Sequence, residues 1–430
     1  MKRIILLFLL SAFTFQLSAE KSFAFFVGFG AAGGAEQVIT KGQELGLIPK
    51  TPGGETTPQG TKQITDAETV WQAIYDCGDY DNGYAIAVDI SGNVYVTGRS
   101  FSGMMGDQCL TVKYDANGNF MWKKPYCVGL GSQDGCGIAV DASQNVYVVG
   151  RTFLTLDYNY FTAKYNSDSP PGEVWLKTYA SPGAAMDDYG NCIAAGKAPA
   201  DSGCVFSAGF SNNGATFDFD TIKYDSDGNT VWQKFYDSGK DDRIFGIATD
   251  PSGNVYVTGW SQNDTTTFDY LTIKYNSDSP PGVAWQKRYD GGNDDRAYGI
   301  AVDPSGNVYV TGYSNNGVNL DYLTIKYDSN GDTVWKKIYN NGNNDEGKGI
   351  AVDPSGNVYV TGYSNNGTNN DYFTIKYDAN GDSVWQKRFN RKDDQAYGIA
   401  VDSSNNVYVT GQSTNAIPNT DYLTIKYRQY

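Results

Sequence analysis

The sequence of 430 residues contains no histidine. A Ser-His-Asp or Cys-His catalytic centre needs an imidazole to accept a proton, and many zinc sites need one as a ligand. Those classes of enzyme and of zinc site are therefore excluded. The sequence also lacks a G-x-S-x-G nucleophile elbow and a phosphate-binding P-loop, so we assign no catalytic residue.

Charged residues are scarce at 19%, and acidic ones dominate, which gives a formal net charge of −15. An acidic surface repels phosphate backbones, so nucleic acid is excluded as a partner. Cations, basic proteins and neutral glycans remain compatible with this charge. The chain is rich in Gly (50), Tyr (33) and Phe (20), a composition that favours strands and tight turns over helices.

The first residues have the pattern of an export signal. Lys2 and Arg3 precede an apolar run over residues 4–15, and Leu17-Ser18-Ala19 fits a cleavage site. The run is too short for a membrane span, which needs about 20 apolar residues. We therefore predict a signal peptide over residues 1–19 and export to the periplasm, the outer surface or the extracellular space, without a membrane-spanning segment.

Residues 20–69 differ in composition from the rest of the chain. Residues 23–35 are apolar and glycine-rich, and residues 48–60 are rich in Pro, Gly and Thr. The second stretch predicts a flexible linker. We therefore place the folded domain at residues 70–430.

Six cysteines suit an exported protein, and six allow 15 disulfide connectivities. Cys192 and Cys204 flank one predicted hairpin and form the first candidate pair. Cys127 and Cys136 lie in one loop and form the second. The alternative is that the cysteines are free, buried thiols.

A repeat of about fifty residues runs through this domain, as is typical of propellers and other arrays. The unit at residues 349–389 contains four strand-like runs separated by turn sequences such as Asp-Pro-Ser-Gly and Asp-Ala-Asn-Gly. Four strands per unit are typical of a propeller blade, and we name them A to D from the centre outwards. A tryptophan marks strand D at positions 71, 122, 175, 232, 285, 335 and 385.

Counting the strands predicts how the ring closes. Strands A and C each occur seven times, while the chain begins with a lone strand D at residues 70–75 and ends with a strand C. Pairing of residues 70–75 with residues 421–427 would satisfy both open edges. The predicted fold is an all-β, seven-bladed β-propeller with four antiparallel strands per blade, closed by its N-terminal outer strand.

The repeat G-I-A-V-D-P-S-G-N-V-Y-V-T-G, at residues 299–312 and 349–362, resembles the bacterial SBBP repeats, which are related to NHL repeats. The resemblance covers about residues 70–430 and implies a propeller that acts as a binding or structural module. The third blade departs most from this pattern. Ile193-Ala-Ala-Gly196 replaces I-A-V-D there, and residues 197–203 lengthen the following turn.

Carboxylates recur four residues before six of the seven predicted strands A, in loops expected to surround one mouth of the central channel. The B-to-C loops end in further aspartates and should lie on the same face, which predicts an acidic binding face. Ca²⁺, which takes oxygen ligands, is a possible cofactor, although no residue is assigned as a metal ligand. The alternative is that each Asp caps its loop backbone. The predicted ligand-binding residues are Asp81, Asp188, Asp242, Asp295, Asp345 and Asp394, with Gln133 at the seventh position.

Ser-Asn-Asn-Gly occurs in B-to-C loops at residues 211–214, 314–317 and 364–367, close to Phe210, Trp260, Tyr313 and Tyr363. Asparagine beside exposed aromatic rings could bind sugars. The alternative is a turn-forming Asn-Gly beside packed rings.

The leading hypothesis is an exported, monomeric, non-enzymatic binding or scaffold propeller. Its ligand, a protein, a glycan or a cation, would lie on the acidic D–A/B–C face. One alternative is a carboxylate-dependent polysaccharide hydrolase or lyase, since paired carboxylates can act as acid and base. Another alternative is an assembly partner in the cell envelope.

Overall fold

The computed structural model describes residues 66–101, 106–126, 131–154, 156–182, 186–264, 267–414 and 419–429. These residues form 28 strands in seven antiparallel sheets of four, so the predicted seven-bladed propeller is confirmed. The predicted signal peptide and most of the predicted linker lie outside the described residues. No helix in the described ranges is long and apolar enough to cross a membrane.

The strands are rich in β-branched and aromatic residues, which suit a pleated surface. The inner strands A of blades one to seven are Asp81–Val88 (β2), Gln133–Val140 (β6), Asp188–Ala195 (β10), Asp242–Thr249 (β14), Asp295–Val302 (β18), Asp345–Val352 (β22) and Asp394–Val401 (β26). Strands B are Val94–Phe101 (β3), Val146–Leu154 (β7), Val205–Asn212 (β11), Val255–Gln262 (β15), Val308–Asn315 (β19), Val358–Asn365 (β23) and Val407–Thr414 (β27).

The outer half of each blade completes the sheet. Strands C are Asp107–Tyr114 (β4), Asp157–Tyr165 (β8), Phe217–Tyr224 (β12), Phe268–Tyr275 (β16), Leu320–Tyr327 (β20), Asn370–Tyr377 (β24) and Thr420–Gln429 (β28). Strands D are Phe120–Tyr126 (β5), Glu173–Tyr179 (β9), Thr230–Tyr236 (β13), Val283–Tyr289 (β17), Thr333–Tyr339 (β21), Ser383–Phe389 (β25) and Ala67–Tyr75 (β1). A short 3-10 helix, Pro199–Asp201, lies in the A-to-B loop of blade three.

Every strand A contains one β-bulge, and this lengthens the strand beyond its predicted start. In blade five the pairing with strand B shifts between Ala297 and Gly299, which leaves Tyr298 as the extra residue. Strand A therefore begins at Asp295, four residues earlier than its regular apolar run. Gly312 lies opposite the bulge, and a Cβ there would collide with the carbonyl oxygen of Arg296. The glycine that ends each V-Y-V-T-G run is thus required by the bulge.

The core is formed between blades, since each of seven clusters of buried residues draws on two neighbouring blades. Trp175 of β9 is a typical contact. Its ring lies 6.1 Å from that of Tyr147 in its own blade and 5.8 Å from that of Tyr224 in the next blade. Its indole N–H donates to the carbonyl oxygen of Ser226 at 3.1 Å, also in the next blade. The tryptophan of strand D therefore joins each blade to its successor.

The ring closes as predicted. Strand β1 pairs with β28, with Trp71 opposite Lys426 and Tyr75 opposite Tyr422. Trp71 makes the same contact with the next blade as Trp175, since its indole N–H donates to the carbonyl oxygen of Ala116 at 3.2 Å. The closing strand is therefore held by the backbone ladder of blade seven and by the packing of blade one.

The predicted Cys192–Cys204 disulfide is not formed, and both residues are free thiols. Cys192 lies opposite Ala208, four residues along β11 from Cys204. At about 3.3 Å per residue this separation is roughly 13 Å, whereas a disulfide requires Cα atoms within about 7 Å. Cys136 is also free, and its predicted partner Cys127 lies outside the described residues.

The closing strand can be tested with two proline substitutions. Pro125 of β5 occupies the position that Ile74 occupies in β1, so Ile74→Pro should be tolerated. The N–H of neighbouring Ala73 faces β28, so Ala73→Pro should remove a ladder hydrogen bond and destabilise the domain by at least about 1 kcal/mol. Thermal unfolding of the two variants measures the difference, and equal midpoints would contradict closure by β1.

Candidate functional site

The predicted ligand-binding aspartates are the first residues of the strands A, and all six are buried with 0% exposure. Their carboxylates accept hydrogen bonds from the D-to-A loop. The backbone N–H of Ser238 donates to Asp242 at 2.8 Å, and that of Asn341 donates to Asp345 at 2.9 Å. These aspartates therefore hold the loops that surround the mouth, and their part in ligand binding stays a prediction.

Burial also changes the acidity of these groups. It raises the pKa of the carboxyls of Asp81, Asp188, Asp242, Asp295 and Asp345 above the usual value, although hydrogen bonds from serine and backbone donors oppose the shift. The charge at the start of strand A is therefore costly to bury and is stabilised locally by the loop.

The structure brings D-to-A and B-to-C acids together, as the sequence predicts. Two triads of aspartates each place three carboxylate oxygens within 4.8 Å of one another. The first triad is Asp218, Asp237 and Asp242, and the second is Asp269, Asp290 and Asp295. The second triad is balanced by a guanidinium, because Arg288 contacts Asp269 at 2.8 Å.

Within the described part of the chain no guanidinium forms an ion pair with the first triad, although the charge of Arg288 lowers the pKa of Asp242. Phe235 occupies in β13 the position that Arg288 occupies in β17. The pKa of Asp218 is raised by burial and, more weakly, by Asp237 and Asp242, while a hydrogen bond from Asn213 opposes the shift. This triad is therefore the stronger candidate for holding a cation.

The asparagines of the Ser-Asn-Asn-Gly loops stabilise their own turns. The side-chain oxygen of Asn213 accepts hydrogen bonds from the backbone N–H groups of Ala215 and Thr216, both at 2.9 Å. Asn316 and Asn366 accept equivalent bonds in blades five and six. These side chains therefore have a structural role, and the structure favours the turn interpretation of the motif.

The repeat is interrupted at three positions of every blade near this mouth. They are the second residue of strand A, the extra residue of the bulge in strand A, and the strand-B residue that pairs with that second residue. The first set is Asn82, Asp134, Tyr189, Arg243, Arg296, Glu346 and Gln395. The bulge set is Tyr84, Cys136, Asn191, Phe245, Tyr298, Lys348 and Tyr397, and the strand-B set is Arg99, Arg151, Phe210, Trp260, Tyr313, Tyr363 and Gln412.

In blades three to five these positions form a stack of arginines and aromatic rings. The guanidinium of Arg243 lies 5.1 Å from the ring of Phe210, 4.5 Å from that of Phe217 and 5.0 Å from that of Trp260. The guanidinium of Arg296 covers the other side of Trp260 at 5.1 Å. Cation–π contacts of this kind fix the guanidinium planes.

The stack continues into blade two, where the guanidinium of Arg151 lies 5.3 Å from the ring of Tyr158 and 5.4 Å from that of Tyr189. We call Arg151, Arg243, Arg296 and the rings that they cover the aromatic–arginine arc. Asp241 and Asp294 lie 3.5 Å from Arg243 and Arg296, so the arc contains charges of both signs.

Blade six places an acid and a base at these positions. The ammonium of Lys348 contacts Glu346 at 2.6 Å and lies 3.7 Å from the centre of the Tyr298 ring. The hydroxyl of Tyr363 donates to the other oxygen of Glu346. Burial lowers the pKa of Lys348, although the charge of Glu346 opposes the shift. This is a compact acid–base cluster beside the arc.

Blade three contains a buried carboxylate that the sequence analysis missed. Asp220 stands where Leu271 and Leu323 stand in blades four and five, and it is completely buried. It accepts hydrogen bonds from Gln233 at 3.0 Å and from Ser211 at 3.1 Å. Burial raises its pKa to about 7. An alignment of the seven strands C would have revealed it, because the other blades hold an apolar residue there.

Comparisons with known proteins agree on the fold. Five segments of the chain match the Beta-propeller repeat family SBBP, namely residues 78–102, 237–264, 290–318, 334–369 and 385–417, which confirms the resemblance drawn from the sequence. No curated protein sequence matches the chain significantly.

Three solved structures are similar at low sequence identity. Sqt1 of Chaetomium thermophilum, bound to the N-terminus of the ribosomal protein L10, is 10% identical with a TM-score of 0.52, covering 84% of this chain and 100% of Sqt1. A protein of unknown function from Dyadobacter fermentans is 9% identical with a TM-score of 0.50, covering 85% and 99%. The polysaccharide lyase Uly1 is 9% identical with a TM-score of 0.49, covering 86% and 93%. At these identities the similarity shows the fold alone.

Asp220 makes the stability of the domain depend on pH. Its folded-state pKa of about 7 lies above the usual 3.8, so the folded state binds the extra proton and loses stability as the pH rises from about 4 to 7. The free energy of unfolding that Asp220→Asn adds should therefore be larger at pH 8 than at pH 5, by on the order of 2 kcal/mol. Urea unfolding at both pH values measures this difference. Asp227→Asn, in an exposed turn of the same blade, is the control, and parallel curves for wild type and Asp220→Asn would contradict the shift.

Proposed function

We propose that this chain, a propeller built from SBBP repeats, is an exported binding module that takes its ligand on the D–A/B–C face. The observation that carries the proposal is the place where the repeat is interrupted. Strands A and B repeat nearly unchanged in most blades, except at the three positions near this mouth. A repeat that only built the ring would not need residues that change from blade to blade at these positions.

The composition of the arc favours a protein ligand. Trp, Tyr and Arg are the residues most enriched at energetically dominant positions of protein interfaces. The guanidiniums are already oriented by the rings beneath them, which reduces the side-chain entropy lost on binding. The similar Sqt1 propeller is bound to a protein segment, so the fold is compatible with this role. A partner in the cell envelope would fit the predicted export.

The binding proposal is tested with variants of half-exposed residues on the arc. We expect Arg243→Gln combined with Arg296→Gln to weaken a ligand found on peptide or glycan arrays by about 30-fold, the equivalent of about 2 kcal/mol. Arg428→Gln, at an exposed arginine of β28 outside these three positions, is the control and should leave the affinity unchanged. Binding that survives the arginine variants would contradict the proposal, and a glycan hit would replace the protein ligand.

The second candidate function is a carboxylate-dependent polysaccharide hydrolase or lyase. It is favoured by the cluster of Glu346, Lys348 and Tyr363, because catalysis needs groups that differ from one blade to the next. Incubation with a panel of polysaccharides tests this alternative. Turnover that is abolished by Glu346→Gln would replace the binding proposal with an enzymatic one.

Calcium is the cation that this face would hold, at the triad of Asp218, Asp237 and Asp242. The triad supplies carboxylate oxygens, the ligands that Ca²⁺ prefers. We expect millimolar Ca²⁺ to raise the unfolding midpoint of the wild type above its value in EDTA. Phe235→Arg should remove this shift, because a guanidinium would reach Asp218 as Arg288 reaches Asp269 at 2.8 Å. Equal midpoints in Ca²⁺ and EDTA would contradict calcium binding.

A further inference from the structure

The opposite end of the channel contains a cavity of about 610 Å³. It is formed by the ends of the strands A and by the A-to-B turns that follow them. Most of its wall consists of small or branched apolar side chains, among them Val88, Val140, Ala195, Ala248 and Ile300. This volume lies within the range of about 300–1,000 Å³ that is typical of small-molecule sites, and such sites are mainly apolar with a few polar groups.

The two carboxylates in the wall are committed to their own turns. One oxygen of Asp89 accepts hydrogen bonds from the backbone N–H groups of Ser91 and Asn93, both at 2.9 Å. Its other oxygen accepts from the side chain of Asn93 at 2.8 Å and from the hydroxyl of Tyr95 at 3.1 Å. Asp141 is bound in the same way. Neither acid has a free role in recognising a ligand.

Lys197 is the basic residue of this wall, and the described residues provide no hydrogen-bond acceptor and no ion-pair partner for its ammonium. Lys197 is exposed to solvent at this mouth, and desolvation by the surrounding wall lowers the pKa of its ammonium, an effect that the charge of Asp250 opposes. An ammonium beside an apolar wall, without a counter-ion in contact, is expected to attract an anionic group.

The lysine results from the insertion in blade three. Gly196 occupies the place of the turn aspartate found in the other six blades, and the insertion that follows it brings Lys197 and Asp201. The inserted loop is firmly held, because Asp201 pairs with Lys223 at 2.6 Å and Tyr147 donates to the carbonyl oxygen of Gly203 at 3.3 Å. The backbone N–H of Gly196 donates to the carbonyl oxygen of Cys204 at 3.0 Å. Lys197 therefore projects from a fixed backbone.

The backbone of the strands A adds further donors. Strand A is the innermost strand of each sheet, and it pairs with another strand only on the side of strand B. The N–H groups on its other edge face the channel. They can donate to the oxygens of a ligand that Lys197 attracts.

We propose that this cavity binds a small organic carboxylate with an apolar body. The carboxylate would contact the ammonium of Lys197, and the apolar body would lie against the alanine, valine and isoleucine wall. The wall of this cavity contains one basic residue, and the chain as a whole has a net charge of −15. A ligand with one negative charge is therefore favoured over a ligand with several. This site is separate from the aromatic–arginine arc and does not depend on the function proposed for it.

The test uses octanoate as the probe and 1-octanol as its uncharged analogue, with binding measured by titration calorimetry. We expect octanoate to bind the wild type, and Lys197→Gln to weaken it by about 10-fold or more, since hydrogen bonds to charged groups contribute about 1.5–3 kcal/mol. Lys197→Arg should retain binding. Octanol should bind weakly and equally to wild type and Lys197→Gln.

A second variant locates the site. Ala142 lines the cavity and is exposed, so Ala142→Trp should narrow the opening without unfolding the domain, and should weaken octanoate and octanol alike. Arg243→Gln, on the opposite face, should leave octanoate binding unchanged. The proposal is overturned if octanoate does not bind, if Lys197→Gln binds it as well as the wild type, or if Ala142→Trp has no effect.

Discussion

The contact between neighbouring blades is the constraint on which the rest of this structure depends. A four-stranded sheet has two faces, and both must be buried against other blades. The tryptophan of strand D does this by lying between a tyrosine of its own blade and a tyrosine of the next, as Trp285 does between Tyr256 and Tyr327. Because this contact recurs around a closed ring, a residue at the seam is restricted by two blades at once. The near-identity of the repeats at these positions follows from that restriction.

Freedom to vary remains at the two ends of the channel, away from the tryptophan contacts. At the D–A/B–C end, the bulge of strand A and its partner in strand B hold different residues in most blades, and in blades two to five they form the aromatic–arginine arc. At the other end, the A-to-B turn of blade three has exchanged an aspartate for Gly196 and Lys197. The ring tolerates both changes because neither removes a tryptophan of a strand D.

The architecture could be predicted because it depends on counting. Seven strands A, seven strands C and a lone N-terminal strand D leave one way to close the ring, and β1 pairs with β28 accordingly. The bulge could not be predicted from the alternation of apolar and polar residues, because one extra residue such as Tyr298 interrupts that two-residue alternation. The sequence pattern therefore assigns Asp295 to a loop, although it begins a strand and is buried. The arc does not follow from the sequence, because Arg243 meets Phe210 only across a blade interface. Of the residues around it, the sequence pattern singles out the aromatics Phe210, Trp260, Tyr313 and Tyr363.

The residues that repeat in this chain therefore differ in role from the residues that support the binding proposals. The aspartates that recur in almost every blade are the most conspicuous feature of the sequence, yet their oxygens mainly hold loop backbone, as Asp242 holds Ser238. Residues that occur in one blade only carry unbalanced chemistry: Asp220 is a buried acid, and Lys197 is an ammonium without a partner among the described residues. In a ring of repeated blades, a group that is required for folding recurs in nearly every blade. A group that appears once is not required by the ring, and such groups support the proposals that the two ends of the channel bind ligands.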